Sequence, residues 1–449
     1  MLGARAIDAL ADTVFQASRA DQTEVVVLAG DSSLTRFASN AIHQNVTERD
    51  AEVRVRAVVG SRVGVASGND LSPDALRRLA ETAVTIAELQ PENPDFPGLP
   101  QLRPIVAVRS YAQETAEFSP ADRARGVKAV CDLARDRGCR AFGAFSTTAN
   151  EIAVRNSLGV NAYGEFTSAS LRSVVMADDE GSGYALRTAL NAREVDAEAV
   201  AREAVDKAVQ SRHPTDIEPG EFTVLLQEYA VGDLLEYLAY VGFSALAVQE
   251  GRSFMAEARG TQAASPLVSI WDDGLDLNTL PVGFDFEGMP KQRVSFLEAG
   301  IAREVVYDSA TAHKDGRDST GHALPAPNTM GPMPWNMVMA AGDSSRDDML
   351  KTIERGLWVT RFHYVNIVHP LKTILTGMTR DGTFLIERGE ITRPVKNLRF
   401  TQSAIGALAS TRLVGRERLL YSEEFGGSLV PALVTEGFRF TGVTASQPD

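Results

Sequence analysis

The sequence predicts an α+β fold in two parts: an N-terminal domain of antiparallel strands and helices over residues 1–215, and a β-rich C-terminal domain over residues 216–449 entered through a helix. Three observations carry this reading. Strand and helix periodicities alternate through the first two hundred or so residues. The segment His213 to Gly220 (HPTDIEPG) then interrupts both at once, which marks a boundary. Beyond it, short apolar runs separated by turn residues replace most of the helical pattern. At about 100–200 residues per domain, 449 residues suit two or three domains with cores of their own.

Each element has a local reason. Met1 to Gly30 mixes Arg5, Asp8, Asp12, Arg19 and Asp21 into apolar residues, so it opens as an amphipathic helix and lacks the unbroken apolar core of a secretory signal. Glu24 to Leu28 (EVVVL) is a β-branched strand. Ala51 to Val59 sets Val53, Val55, Ala57 and Val59 against Glu52, Arg54, Arg56 and Val58, the pattern of a half-buried antiparallel strand. Ser72-Pro73 and Ser119-Pro120 each supply a capping hydroxyl and a first-turn proline, starting helices that run to Leu89 and through Cys131 to about Gly138. Between them Pro91, Pro94, Pro97, Pro100 and Pro104 exclude helix and central strand from residues 90–104, leaving a surface strap. Strands follow over Ala141–Thr148, Glu151–Asn156, Phe166–Met176 and Gly183–Thr188, then a helix over Asp196–Arg212.

In the second half, Phe222–Leu226 reads as a strand and Tyr229–Glu250 contains a long helical pattern. Strand-like runs come at Leu267–Trp271, Val294–Tyr307, Leu357–Val365, Thr383–Val395 and Leu429–Thr441. Glu298-Ala299-Gly300 and Glu387-Arg388-Gly389-Glu390 are hairpin turns whose glycine takes the positive φ. Arg380-Asp381-Gly382 reads as a further turn between two strands, and Asp272-Asp273-Gly274 as a turn closing one. Gly321 to Met333 is a long irregular loop.

A net charge of -14 opposes binding to nucleic-acid phosphates or anionic lipid. No run of 18 apolar residues predicts a membrane span. Two cysteines, Cys131 and Cys139, make neither a disulfide framework nor a metal finger, so the expected location is the reducing cytoplasm. The six histidines never form the one-turn pair of a zinc helix, and P-loop, nucleophile-elbow and dinucleotide motifs are absent. Four residues stand as candidates to line a substrate. His363 and His369, six apart, share a face of an extended strand; His322 sits in the irregular loop beside Thr320 and Gly321; Arg380 is placed to meet a peptide carboxylate or a partner chain.

The blocks Arg36–Asn45 (RFASNAIHQN), Ser265–Gly274 (SPLVSIWDDG), Asp318–Ala323 (DSTGHA), Val359–Val365 and Thr376–Glu390 (TGMTRDGTFLIERGE) resemble the TldD/PmbA family of metallopeptidases, in the family's order. Phe425–Gly442 (FGGSLVPALVTEGFRFTG) resembles the PmbA, or TldE, branch. In the catalytic TldD branch a helix opening the C-terminal domain carries H-E-x-x-x-H, and a Cys near the C-terminus completes the zinc site. Here that helix start reads Leu226-Gln227-Glu228-Tyr229-Ala230-Val231-Gly232-Asp233. The resemblance puts Glu228 and Asp233 at the histidine positions and Tyr229 at the catalytic glutamate; no cysteine follows Cys139.

Zinc hydrolysis needs imidazole or thiolate donors, an open coordination position and a base. Two carboxylates five residues apart point about 140° from one another on a regular helix and cannot share an ion without a bulge. The expectation is therefore a chain with no metal and no catalytic residue of its own. The resemblance implies a heterodimer with a TldD-like chain that brings the zinc, the two pairing through their C-terminal domains around a chamber that takes an unfolded peptide as an added strand. Two alternatives stand beside it: a peptide-binding scaffold with no hydrolytic partner, and a hydrolase with rebuilt chemistry.

Overall fold

The computed structural model describes residues 1–422 and 426–443; Phe425, which opens the last quoted block, lies outside the described residues. The N-terminal half is a six-stranded, wholly antiparallel sheet in the order Arg62–Gly68, Ala41–Val59, Gln22–Ala38, Cys139–Asn156, Asn161–Ala177, Ser182–Ala189. Helices Ala4–Ala17 and Pro73–Leu89 cover one half of a face, and Pro120–Asp136 and Ala197–Gln210 the other. The two serine caps form as expected. Ser72 accepts the Ala75 N–H, and Ser119 makes a capping box with Asp122.

Several strands outrun their sequence signals. Gln22–Ala38 extends well past the β-branched run and turns through Ser39-Asn40, both at positive φ, into Ala41–Val59. Residues read as two strands, Ala141–Thr148 and Glu151–Asn156, form the single strand Cys139–Asn156, because both its neighbours pair with it across Ala149-Asn150. Tyr229–Glu250 is two helices, Glu228–Gly242 and Ala245–Gln249, broken at Phe243-Ser244, where the chain turns to pair with Val306.

The Arg380-Asp381-Gly382 reading is corrected outright. These residues lie inside the continuous strand Ile374–Glu387, and the positive φ values of Asp381 (55°) and Gly382 (115°) make a bulge against Val359–Arg361. The signal of a turn and that of a bulge are the same, a backbone needing positive φ. The two expected hairpin turns do form, at Ala299-Gly300 and Arg388-Gly389.

Among the described residues the C-terminal sheet has eleven strands. Glu221–Leu226 pairs with Arg355–His369 on one side and Gly427–Val443 on the other. With Ile374–Glu387 and Leu398–Ser403 between those two, five strands close on themselves. The large core beside them includes Tyr184 and Leu186 from the N-terminal half, so the halves share a buried apolar cluster.

That union explains the charged face of Ala41–Val59. Val53, Val55 and Ala57 pack under the helices as the alternation predicts. Arg54 and Arg56, on the other side, meet the C-terminal half: Arg54 donates to the Ala326 carbonyl, and Arg56 binds Glu24 at 2.6 Å and Glu287 at 3.3 Å. Glu24 is 2% exposed, and burial pushes its carboxyl up against the pull of Arg56. Val26, between the helix-facing Val25 and Val27, packs against Phe284.

Removing Arg56 strands two buried carboxylates. Arg56→Met should cost about 3–5 kcal/mol in urea unfolding, whereas Arg49→Met, whose ion pair with Asp31 is exposed, should leave the midpoint in place. Equal midpoints for the two variants would refute this.

Candidate functional site

The helix Glu228–Gly242 is apolar nearly all round and is buried accordingly. At Gly232 a Cβ would come 2.4 Å from the Tyr421 ring, so only glycine lets that ring lie on the helix. Around this first turn, each of the three residues singled out by sequence is already engaged.

Both Glu228 oxygens accept from Arg346 Nη2, at 2.8 and 2.9 Å. Asp233 Oδ1 accepts the Tyr421 hydroxyl at 2.5 Å and Oδ2 the Phe362 N–H at 2.8 Å. The two carboxylates thus diverge onto separate partners, as the helical angle requires. Tyr229 is 1% exposed, and its ring meets Tyr184 edge-on with centroids 5.0 Å apart. Its phenol oxygen accepts from the Leu186 N–H and from Arg187 Nη1, and donates to Glu203 Oε1 at 3.2 Å. Burial, reinforced by Glu203, pushes the phenol up, keeping it a donor.

Glu203 belongs to the N-terminal helix Ala197–Gln210 and also takes Lys207 at 2.8 Å, Arg187 at 2.8 Å and Gln227 Nε2 at 2.8 Å. Burial alone would raise its carboxyl; the two cations outweigh it and hold the group at about 2. Tyr229 is therefore a bolt between the two halves of the chain. None of this fits zinc. The donors are oxygens already filled by guanidinium, hydroxyl and amide, and the described residues contain no group of three or more His, Cys, Asp or Glu placed to hold a metal ion.

The other sequence candidates scatter. His369 is exposed near the end of Arg355–His369, its Nδ1 3.4 Å from the Lys372 N–H; His363 is half-buried with its ring edge-on to Tyr364. Arg380 is half-exposed, 3.9 Å from Asp381, whose carboxylate is held by Arg361 at 2.6 Å. Arg361 in turn lies 4.4 Å over the Tyr184 ring, so this bulge is a second fastening between the halves.

His322 is different: it is buried and lines a cavity with Ile152, Phe284, Asp285, Lys291, Met333 and Trp335 among its walls. Its Nε2 lies 2.9 Å from Asp272 Oδ1 and its Nδ1 2.9 Å from Thr320 Oγ1. Burial and Lys291 push the imidazole down, while His322, Lys291 and the Asn336 N–H offset the burial of Asp272 and hold it at about 2. Nε2 faces the Asp272 carboxylate and Nδ1 the Thr320 hydroxyl. With both nitrogens engaged the imidazole presents ring carbon, not a base, to the cavity. Sequence reading missed Asp272 as its partner, and missed Lys291 and Glu203 altogether; nothing in their local patterns distinguishes them from solvated residues.

A pH test follows from Glu203. Its folded value lies below the ordinary 4.5, so its contribution is complete above about pH 4.5 and is lost as pH falls toward 2. That contribution is about 3 kcal/mol. Denaturant titrations from pH 6 to 2 should show a slope that Glu203→Gln flattens; an unchanged slope in the variant would count against the network.

Three family models match the chain: PmbA/TldA metallopeptidase domain 1 over residues 23–87, the central domain over 113–212 and the C-terminal domain over 219–442. A metalloprotease TldD homolog of Buchnera aphidicola subsp. Acyrthosiphon pisum is 24% identical over 389 residues, covering 82% of this chain and 79% of that one. Metalloprotease PmbA of Escherichia coli O157:H7 is 25% identical over 404 residues, covering 85% and 84%. The crystal structure of TldE from Thermococcus kodakarensis superposes with a TM-score of 0.88 at 20% identity, over 97% of this chain and 100% of that one. With all three domain models matched in order, and with no H-E-x-x-x-H anywhere in its sequence, the chain belongs to the PmbA/TldD metallopeptidase family as a member without that zinc motif.

Proposed function

We propose that this chain is the zinc-less, PmbA/TldE-like subunit of a two-chain cytoplasmic metalloprotease, and that a TldD-like partner supplies the metal and the base. Its own part is to complete the chamber and to hold an unfolded peptide, laid along a strand edge through main-chain hydrogen bonds. One observation carries the reading: each side chain at the family's ligand and base positions has a structural partner, Arg346 for Glu228, Glu203 and Arg187 for Tyr229, and Tyr421 with the Phe362 amide for Asp233. A site under selection for water activation keeps an open coordination position. Here the same turn of helix fastens the domains.

The test compares the purified chain alone with the chain mixed with a TldD-like protein from the same source. The lone chain should hold no stoichiometric zinc and leave an unfolded peptide intact; the mixture should form a stable complex and cleave it. Chelator-sensitive cleavage by the lone chain would sink the proposal in favour of rebuilt chemistry. Peptide binding without any complex would sink it in favour of a scaffold.

A further inference from the structure

The cavity beside His322 has a use that the subunit reading does not assign. It measures about 60 Å³, room for roughly two waters or the head of a small ligand. Its walls are mostly apolar, from Ile152, Val282, Phe284, Phe286, Leu324 and Met333, with Trp335, 36% exposed, at the rim. Three polar residues reach it: Asp285, His322 and Lys291.

Two of the three are spent. His322 has both nitrogens bonded. Asp285 Oδ1 accepts the N–H groups of Glu287 and Met289, and Oδ2 that of Ala323. Asp272, behind the wall, is filled by His322 and by the Trp335 and Asn336 amides. Lys291 is 7% exposed, and among the described residues it makes no ion pair or side-chain hydrogen bond; burial pushes its ammonium down, and Asp272 and Asp285 oppose this only at longer range. A buried ammonium with three N–H donors and no acceptor is costly unless something arrives to accept.

The stem of Lys291 is held in place. A Cβ at Gly274 would lie 2.8 Å from Lys291 Cγ, and one at Gly321 (φ 75°) would lie 2.3 Å from the Pro290 carbonyl oxygen. Two glycines therefore let the Asp272-Asp273-Gly274 turn and the His322 loop close on the Lys291 segment. The Lys291 N–H bonds to Gly283 and the Gln292 N–H to Thr320, which locks both sides.

We propose that this cavity is a binding site for a carboxylate on a short aliphatic chain, with Lys291 as its charge partner and the Phe284, Phe286 and Met333 walls taking the hydrocarbon. A carboxylate is the acceptor that would hold Lys291 in its ammonium form against burial, which a neutral acceptor would do less well, and the volume limits the buried part to a few heavy atoms. Such a group comes either as a free short-chain acid or as the C-terminal residue of a peptide.

Calorimetric titration of the full chain decides the matter, with isobutyrate, isobutyramide, and a hexapeptide ending in valine as free acid or as amide. Isobutyrate should bind at least about tenfold more tightly than isobutyramide, and Lys291→Met should erase the difference. A peptide acid that outbinds both isobutyrate and its own amide assigns the site to chain termini; isobutyrate outbinding the peptide acid assigns it to free acids. Methionine keeps a chain of similar length but removes a cation that offsets the burial of Asp272, so the variant's thermal midpoint should fall modestly, and the acid-to-amide ratio on the unaltered chain tests the proposal without the variant. Equal affinity for acid and amide on the unaltered chain, no acid binding at millimolar concentration, or full affinity in Lys291→Met would each overturn the proposal. These titrations need neither zinc nor a partner, so their failure is separate from failure of the subunit reading.

Discussion

The meeting of the two halves rests on buried polar clusters to which both halves contribute partners. Glu203, from the N-terminal helix Ala197–Gln210, gathers Lys207 and Arg187 from its own half and Tyr229 and Gln227 from the other. At a second point Arg56 joins Glu24 to Glu287. Ion sets of this kind contribute little over a well-packed apolar alternative, but they become expensive when one member is removed. They enforce a particular docking, because any other arrangement leaves a charge buried and alone. The shared apolar cluster around Tyr184, Leu186 and Tyr229 supplies attraction; the charges supply register.

This gives the altered helix start a physical meaning beyond loss. At the start of the helix Glu228–Gly242, Glu228, Tyr229 and Asp233 each have a structural partner. Tyr229 is the telling residue, since a phenol can both accept from Arg187 and donate to Glu203 while its ring packs against Tyr184. A carboxylate there would sit beside Glu203 and repel it.

Much of the fold was legible from local patterns. The capped starts at Ser72 and Ser119, the alternation of Val53, Val55 and Ala57, and the turns at Ala299-Gly300 and Arg388-Gly389 all rest on hydrogen bonds or φ preferences contained within a few residues. The misreadings have one cause. Arg380-Asp381-Gly382 carries the positive-φ signature shared by turns and bulges, and only the opposing strand decides between them. Ala149-Asn150 looks like a break, yet partners on both sides carry the strand through. Of the candidate site residues, His322 lines a cavity, but the Asp272 that holds it lies 50 residues away.

Sequence alone determined what kinds of atom are available. The order of the family blocks, the absence of an H-E-x-x-x-H motif and the absence of any cysteine after Cys139 are properties of residue identity, readable before folding. Tertiary structure decided what those atoms do. Arg56 and Glu287 are 231 residues apart, and no periodicity signals that a guanidinium on a strand's charged face is covered by the other domain. Nor does any local pattern say that Lys291 is buried in the wall of a mostly apolar cavity. Burial and partnership are set by contacts distant along the chain, and those exist only once the two halves have docked.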